Sequence, residues 1–214
     1  IAVDPRMPDI AYGDAHWVPI RPGQDGAFAL SLIHVMITEK LADFEFLARH
    51  TNAAYLIKSN GEPLTEADMR QAGSKSLYAV HDLKRNAIVY QGVRRDEKGA
   101  AIGFIESADT VANLHFEGDV TLAGGQSEHV TTAYNLLEKE ASAFAPAQAS
   151  KICGVPADDI VRIARDFANF KGVIDDGWYT AKNGNDINNY RLFNIINAYN
   201  GNNDKEGRLV VTAS

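Results

Sequence analysis

Three short stretches carry side chains with chemical ends at points where an apolar run gives way to a loop, the place at which open parallel sheets bind ligands. In Val3-Asp4-Pro5-Arg6, the Asp4 carboxylate can accept from ribose hydroxyls or satisfy its own turn. In Arg21-Pro22-Gly23-Gln24-Asp25-Gly26, a turn delivers Asp25 to the mouth of an apolar helix. There a carboxylate can accept two parallel hydrogen bonds from the N1–H and exocyclic amine of guanine, or simply cap the helix. The third stretch, Gly177-Trp178-Tyr179-Thr180-Ala181-Lys182-Asn183-Gly184-Asn185-Asp186, is rich in side-chain amides and glycine ahead of a helix. Such a loop suits an anionic or heterocyclic ligand, although Asn and Gly also serve any helix entry.

Sharper fingerprints are missing. No stretch has the Gly-x-Gly-x-x-Gly spacing of a dinucleotide loop or the Gly-Lys-Ser/Thr of a phosphate-binding loop. His16, His34, His50, His81, His115 and His129 include no helical i, i+4 metal pair, and His34 on an apolar helix reads as a core residue. Cys153 lies ahead of a helix that could lower its pKa, but with no identifiable partner it reads as a buried structural thiol. One cysteine makes no internal disulfide, no four-cysteine iron–sulfur site and no thiolate zinc site. Asp175-Asp176 could take a divalent metal and reads more simply as the polar end of a strand. Acidic residues outnumber basic ones, 28 to 21, and the net charge of −7 is spread along the chain. That balance argues against nucleic acid as a partner and against a polybasic membrane anchor.

The elements that must hold these loops follow from periodicity. Ile1–Val3 and Trp17–Ile20 are buried-strand runs, and Ala27–Ile37, apolar on nearly every face, predicts a buried helix. A short helix over 41–49 and a strand over 54–58 follow. Alternation in 76–80 and 87–90 around Asp82–Asn86 predicts a β-hairpin, and a second one turns at Gly124-Gly125. Helices are expected over 132–141 and 146–152, and again after Pro156 with Gly172 as the stop. Val173-Ile174 then reads as a strand, and a last helix carries Ile187, Tyr190, Phe193 and Ile196. The whole predicts an α/β fold: a doubly wound, mainly parallel sheet with helices on both faces and a β-rich insertion. The expected divisions are 1–58 and 129–214 for the α/β domain and 59–128 for the insertion.

With 214 residues, 45% of them hydrophobic, the chain can bury a real core. No stretch approaches the roughly 20 uninterrupted apolar residues of a membrane-spanning helix, and Ile1-Ala2-Val3-Asp4 has neither the basic nor the apolar region of a signal peptide. The chain opens without Met in one strand-like run and stops in another, Leu209-Val210-Val211-Thr212, so it reads as an internal part of a longer protein.

The order of these loops resembles the molybdopterin oxidoreductase superfamily of the dimethyl sulfoxide reductase type. The resemblance runs over almost the whole chain and is most specific at Trp17-Val18-Pro19-Ile20-Arg21-Pro22-Gly23-Gln24-Asp25-Gly26-Ala27, where the family usually has Thr in place of Gln24. Phe144-Ala145-Pro146, Gly154-Val155-Pro156 and the Gly177–Arg191 stretch add to it. Resemblance implies a central domain holding molybdopterin guanine dinucleotide, with Asp4 and Arg6 facing the nucleotide and Asp25 reading guanine. It adds Pro22, Gly23 and Gln24 as loop contacts, and Trp178, Lys182 and Asn185 from the late loop. Lys182 stands where Gln is common, and Asn185 matches the family's Asn. The overall texture is similar to the thiosulfate, polysulfide and tetrathionate reductase branch.

The same resemblance implies a molybdenum or tungsten cofactor in the parent, with a 4Fe-4S cluster held by a cysteine motif and a metal-ligating residue that have no counterpart here. Implied partners are the remainder of the catalytic subunit, a membrane anchor and an iron–sulfur electron-transfer subunit, in a periplasmic, membrane-associated parent. The 214-residue chain alone would then have no redox turnover. A nicotinamide-dependent dehydrogenase, or a non-enzymatic nucleotide-binding or interaction module, are the rival readings of the same residues.

Overall fold

In a computed structural model, which describes residues 1–13, 15–95, 98–99, 101–105, 109–175 and 185–202, β1 (Ala2–Val3) and β2 (Trp17–Val18) form a parallel pair. A 3-10 turn, Asp9–Tyr12, lies between them. The other elements in chain order are α1 (Asp25–Thr38), α2 (Phe44–His50), β3 (Leu56–Lys58), α3 (Glu66–Met69), β4 (Leu77–Asp82), β5 (Ala87–Arg95), β6 (Ala101–Ile105), β7 (Glu117–Thr121), β8 (Ser127–Thr132), α4 (Ala133–Ser142), α5 (Pro146–Cys153), α6 (Ala157–Asn169) and α7 (Asp186–Tyr199). They fall into two compact units, one of Ile1–Phe44 with Glu138–Ser214 and one of Glu45–Leu137. Among the described residues, no helix is long and apolar enough to cross a membrane.

The first unit is built around α1. Its residues Phe28, Leu30, Leu32, Ile33, Val35, Met36 and Ile37 are all buried, because α5, α6 and α7 each pack against it. A helix with no polar face is stable only when surrounded, and each such side chain contributes about 1.5–3 kcal/mol on burial. α6 is the amphipathic counterpart: Ile160, Ile163, Ala164 and Ala168 face inward at helical spacing. It ends at Asn169, before the expected stop, and Lys171 takes the positive φ of 53°. Gly172 serves close approach instead, since a Cβ there would lie 2.7 Å from the Phe167 ring. Arg165 of α6 donates to both oxygens of Glu39 at the end of α1, at 2.7 and 2.8 Å, and these bonds and its charge hold that carboxyl below the usual carboxylate range.

The second unit holds two three-stranded antiparallel sheets, in the orders β3-β8-β7 and β4-β5-β6, over a core of Leu56, Leu64, Ala79, Val120 and Val130. The β4–β5 turn is pinned by Asp82, whose buried carboxylate accepts from Lys84 N at 3.0 Å, Val111 N at 3.1 Å and Arg85 Nη1 at 2.5 Å. Burial alone pushes this carboxyl up, and the hydrogen bonds with the Arg85 charge outweigh it, leaving it low.

On the outer side of the β7–β8 ladder, the His129 imidazolium donates to Asp119 at 2.9 Å and Glu117 at 3.3 Å. The two hydrogen bonds, Asp119's first, raise its pKa above the ordinary 6.5. A raised folded value means that this contribution is fully present below about pH 6.5 and is lost as pH climbs through the folded value. Between about pH 6 and pH 8 the melting temperature of the wild type should therefore fall relative to that of His129→Gln. All three groups are more than half exposed, so the difference is small, and parallel melting curves for the two proteins would refute it.

The expected mixed α/β character is present, and among the described residues the parallel pairing is that of β1 with β2. The expected strand at Val173-Ile174 is absent. The backbone of Ile174 pairs with a side chain instead: Asn197 accepts from Ile174 N and donates to Ile174 O, both at 2.9 Å. β3, expected as a strand over 54–58, joins β8 in an antiparallel ladder.

Candidate functional site

Parallel pairing sends the chain out of β1 and β2 at one edge, so Asp4 and the connection into α1 leave from the same side. Asp4 is held close by local bonds: its Oδ1 accepts from Arg6 N at 2.7 Å, and its carbonyl accepts from the Trp17 indole at 2.9 Å. The turn that sequence allowed for Asp4 is thus formed, with Arg6 exposed beside it.

The loop after β2 is a tight device. Gln24 N donates to Arg21 O at 3.2 Å, closing a four-residue turn with Pro22 and Gly23 at its corners. Gly23 has φ 74°, and since proline cannot take positive φ the turn is type II, whose third position favours glycine. Gln24 O then accepts from Phe28 N at 3.3 Å as the first helical bond of α1. The expectation that Asp25 caps the helix is corrected by one residue: Gln24 is the N-cap, makes no side-chain cap bond, and Asp25 is the first helical residue. A Thr at the N-cap, as the family usually has, could accept from the helix's first N–H groups, which Gln24 does not do. Among the described residues, the Asp25 carboxylate has neither a hydrogen-bond nor an ion-pair partner. It is the first residue of α1, beside the helix's opening N–H groups, and its acceptors are left open.

Asp25 lines a cavity of about 410 Å³ together with Phe28, Leu32, Phe167, Phe170 and Phe193, with Val3 of β1 and the Gly172–Asp175 segment also in its wall. That volume is in the range of small-ligand pockets. Its wall at Gly172–Asp175 is held by amides of α7 and the residues after it: Asn197 on Ile174, Asn200 Nδ2 on Gly172 O at 3.2 Å as well as on Phe167 O at 2.8 Å, and Asn202 Nδ2 on Gly172 O. α7 also brings Asn185 to the loop, since a Cβ on Gly26 would meet Asn189 Oδ1 at 2.9 Å and Asn185 Nδ2 at 3.6 Å. Trp178 and Lys182 lie outside the described residues.

Sequence reasoning missed Arg21, the aromatic lining and the amide series. Arg21 Nη1 donates to Lys151 O at 2.5 Å and Ile152 O at 3.0 Å, and Arg21 N donates to Cys153 O at 2.8 Å. Asn189, Asn197 and Asn200 are buried amides on or next to a helix that needs none for its own structure, a pattern that could have marked α7 as a clasp. Cys153 is buried, as expected for a structural thiol.

The chain is 30% identical over 189 residues to the alpha subunit of the perchlorate reductase of Dechloromonas aromatica, covering 80% of this chain and 20% of that one. It is 26% identical over 197 residues to the alpha subunit of the dimethylsulfide dehydrogenase of Rhodovulum sulfidophilum, covering 90% and 20%. A tetrathionate reductase subunit of Archaeoglobus fulgidus is 30% identical over 181 residues, covering 77% and 14%. The chain belongs to the molybdopterin oxidoreductase family. It spans about a fifth or less of the length of these curated relatives. No family model matches it. The stretch that most resembles the molybdopterin oxidoreductases, Trp17–Ala27, covers β2, the type II turn and the entrance of α1.

Proposed function

We propose that this region holds the guanine end of a molybdopterin guanine dinucleotide, with Asp25 as the group that reads the base. The observation that carries the reading is a carboxylate without a partner among the described residues, at the rim of a cavity lined by Phe28, Phe167 and Phe193. A planar heterocycle with two adjacent N–H donors fits that chemistry, for the carboxylate supplies two acceptors and the rings an apolar face. Asp166 and Asp175 also line the cavity, an acidic setting that favours a neutral base over a phosphate. The phosphates would run toward Arg6 and the entrance of α7 at Asn185, with Trp178 and Lys182 as further contacts and Asp4 offering its second oxygen to the ribose. The same reading makes β1 and β2 members of a doubly wound parallel sheet, with 59–128 as its insertion.

When bound, the cofactor's molybdenum or tungsten supplies two-electron chemistry, and the residues here bind and orient it. The whole protein would be the catalytic subunit of an oxidoreductase acting on a small oxyanion or sulfur compound. A membrane anchor and an iron–sulfur electron-transfer subunit would be its partners; the subunit names that relatives carry support partner subunits in general.

Asp25→Asn keeps the helix entrance and turns one acceptor into a donor facing the guanine amine. It should cost about 1–3 kcal/mol in GMP affinity and little in AMP affinity. Isothermal titration with both nucleotides checks this; equal binding of GMP and AMP by the wild type, or no loss in the variant, overturns the assignment.

A further inference from the structure

We infer that Arg21 is a positioning residue for the Asp25 carboxylate, acting on base discrimination from outside the cavity; the inference rests on the reading of Asp25 given above. Arg21 does not line the cavity. Its main chain and guanidinium take the carbonyls of three consecutive residues, Lys151, Ile152 and Cys153, in the last turn of α5. Those carbonyls have no donor within their own helix, and a cation at a helix C-terminus is attracted by the dipole as well. The charged bonds make this a firmer anchor than a neutral contact.

The anchor is passed on through a stiff link. Arg21 O closes the type II turn with Gln24 N, Pro22 has its φ fixed by the ring, and Gly23 is committed to φ 74°. Three residues with little torsional freedom therefore separate the anchor from Asp25, so the direction of the carboxylate follows the seat of Arg21. α5 is shaped for that seat. Gly154 ends it with φ 83°, and a Cβ there would lie 3.2 Å from Arg21 Cγ and 3.4 Å from Nε. Two parallel hydrogen bonds to guanine need an aligned acceptor pair, whereas one bond tolerates tilt. Loss of the anchor should thus weaken the second bond, to the exocyclic amine, more than the first.

The test uses the full 214-residue chain with GMP and IMP as probes, because hypoxanthine keeps N1–H and lacks the amine. Titration calorimetry should give the wild type about a five- to tenfold preference for GMP, the worth of one hydrogen bond. Arg21→Ala should bring the ratio to within about twofold of unity while IMP affinity stays within about twofold of wild type. Arg21→Lys should restore part of the ratio, since an ammonium reaches the helix end without the fork of a guanidinium. Gly154→Ala, which crowds Arg21 from the α5 side, should lower the ratio in the same direction and decides the matter if Arg21→Ala does not fold. A ratio lost in Asp25→Asn but kept in Arg21→Ala or Gly154→Ala overturns the role of Arg21 alone. Equal proportional losses for GMP and IMP do the same, since they mark a general structural role. A wild type without preference overturns the reading of Asp25 and this inference with it.

Discussion

Truncating Ile33 to alanine is expected to destabilise the chain by about 2–5 kcal/mol, while Ile33→Val costs about 0.5–1.5 kcal/mol. Ile33 is completely buried at the middle of α1, the helix that three others surround. Helices on several sides cannot all close in on a vacated volume, so the cavity left by three carbons persists and its cost adds to the lost transfer energy. Denaturant titration of both variants gives the values. A loss below about 1 kcal/mol for alanine would mean that α1 is not the packed centre of its unit.

Asn197→Ala should cost about 2–4 kcal/mol and, more sharply, abolish binding in the cavity beside Asp25. The side chain, 2% exposed, serves the N–H and the carbonyl of Ile174 at once, as a neighbouring strand would. Its removal leaves two backbone groups of a half-buried segment without partners, the costly side of the hydrogen-bond balance. Asn197→Asp keeps the acceptor for Ile174 N and loses the donor, so it should fall between wild type and alanine. Thermal melting and GMP titration of the three proteins test the order; full GMP affinity in Asn197→Ala would show that the Gly172–Asp175 wall does not depend on this amide.

What sequence could and could not reveal follows from where each signal resides. α1 was legible because an unbroken apolar stretch with a turn before it has few other solutions, and α5 because Pro146 opens it and Gly154 closes it. Both hairpins were legible from turn residues. Val173-Ile174 was misread because a two-residue apolar run does not disclose its hydrogen-bond partner, which turned out to be the Asn197 side chain 23 residues on. β6 was missed, a short run with Gly103 in its interior. In the candidate site, Asp25 stood out by chemistry, whereas Arg21 could not be weighed: its partners are main-chain carbonyls some 130 residues away, and a carbonyl has no residue type to read.

Cys153 gives that junction a clock. It is the chain's one thiol, fully buried, and its own carbonyl is among those that Arg21 holds. A reagent in solution meets the sulfur only during the moments when the end of α5 lifts. The rate of alkylation, divided by that of a free thiol, is then the equilibrium constant for local opening, provided reclosing is faster than reaction. Through its cysteine the molecule reports the opening free energy of the anchor beneath the Pro22-Gly23 turn, with no label added and no other thiol to confuse the signal.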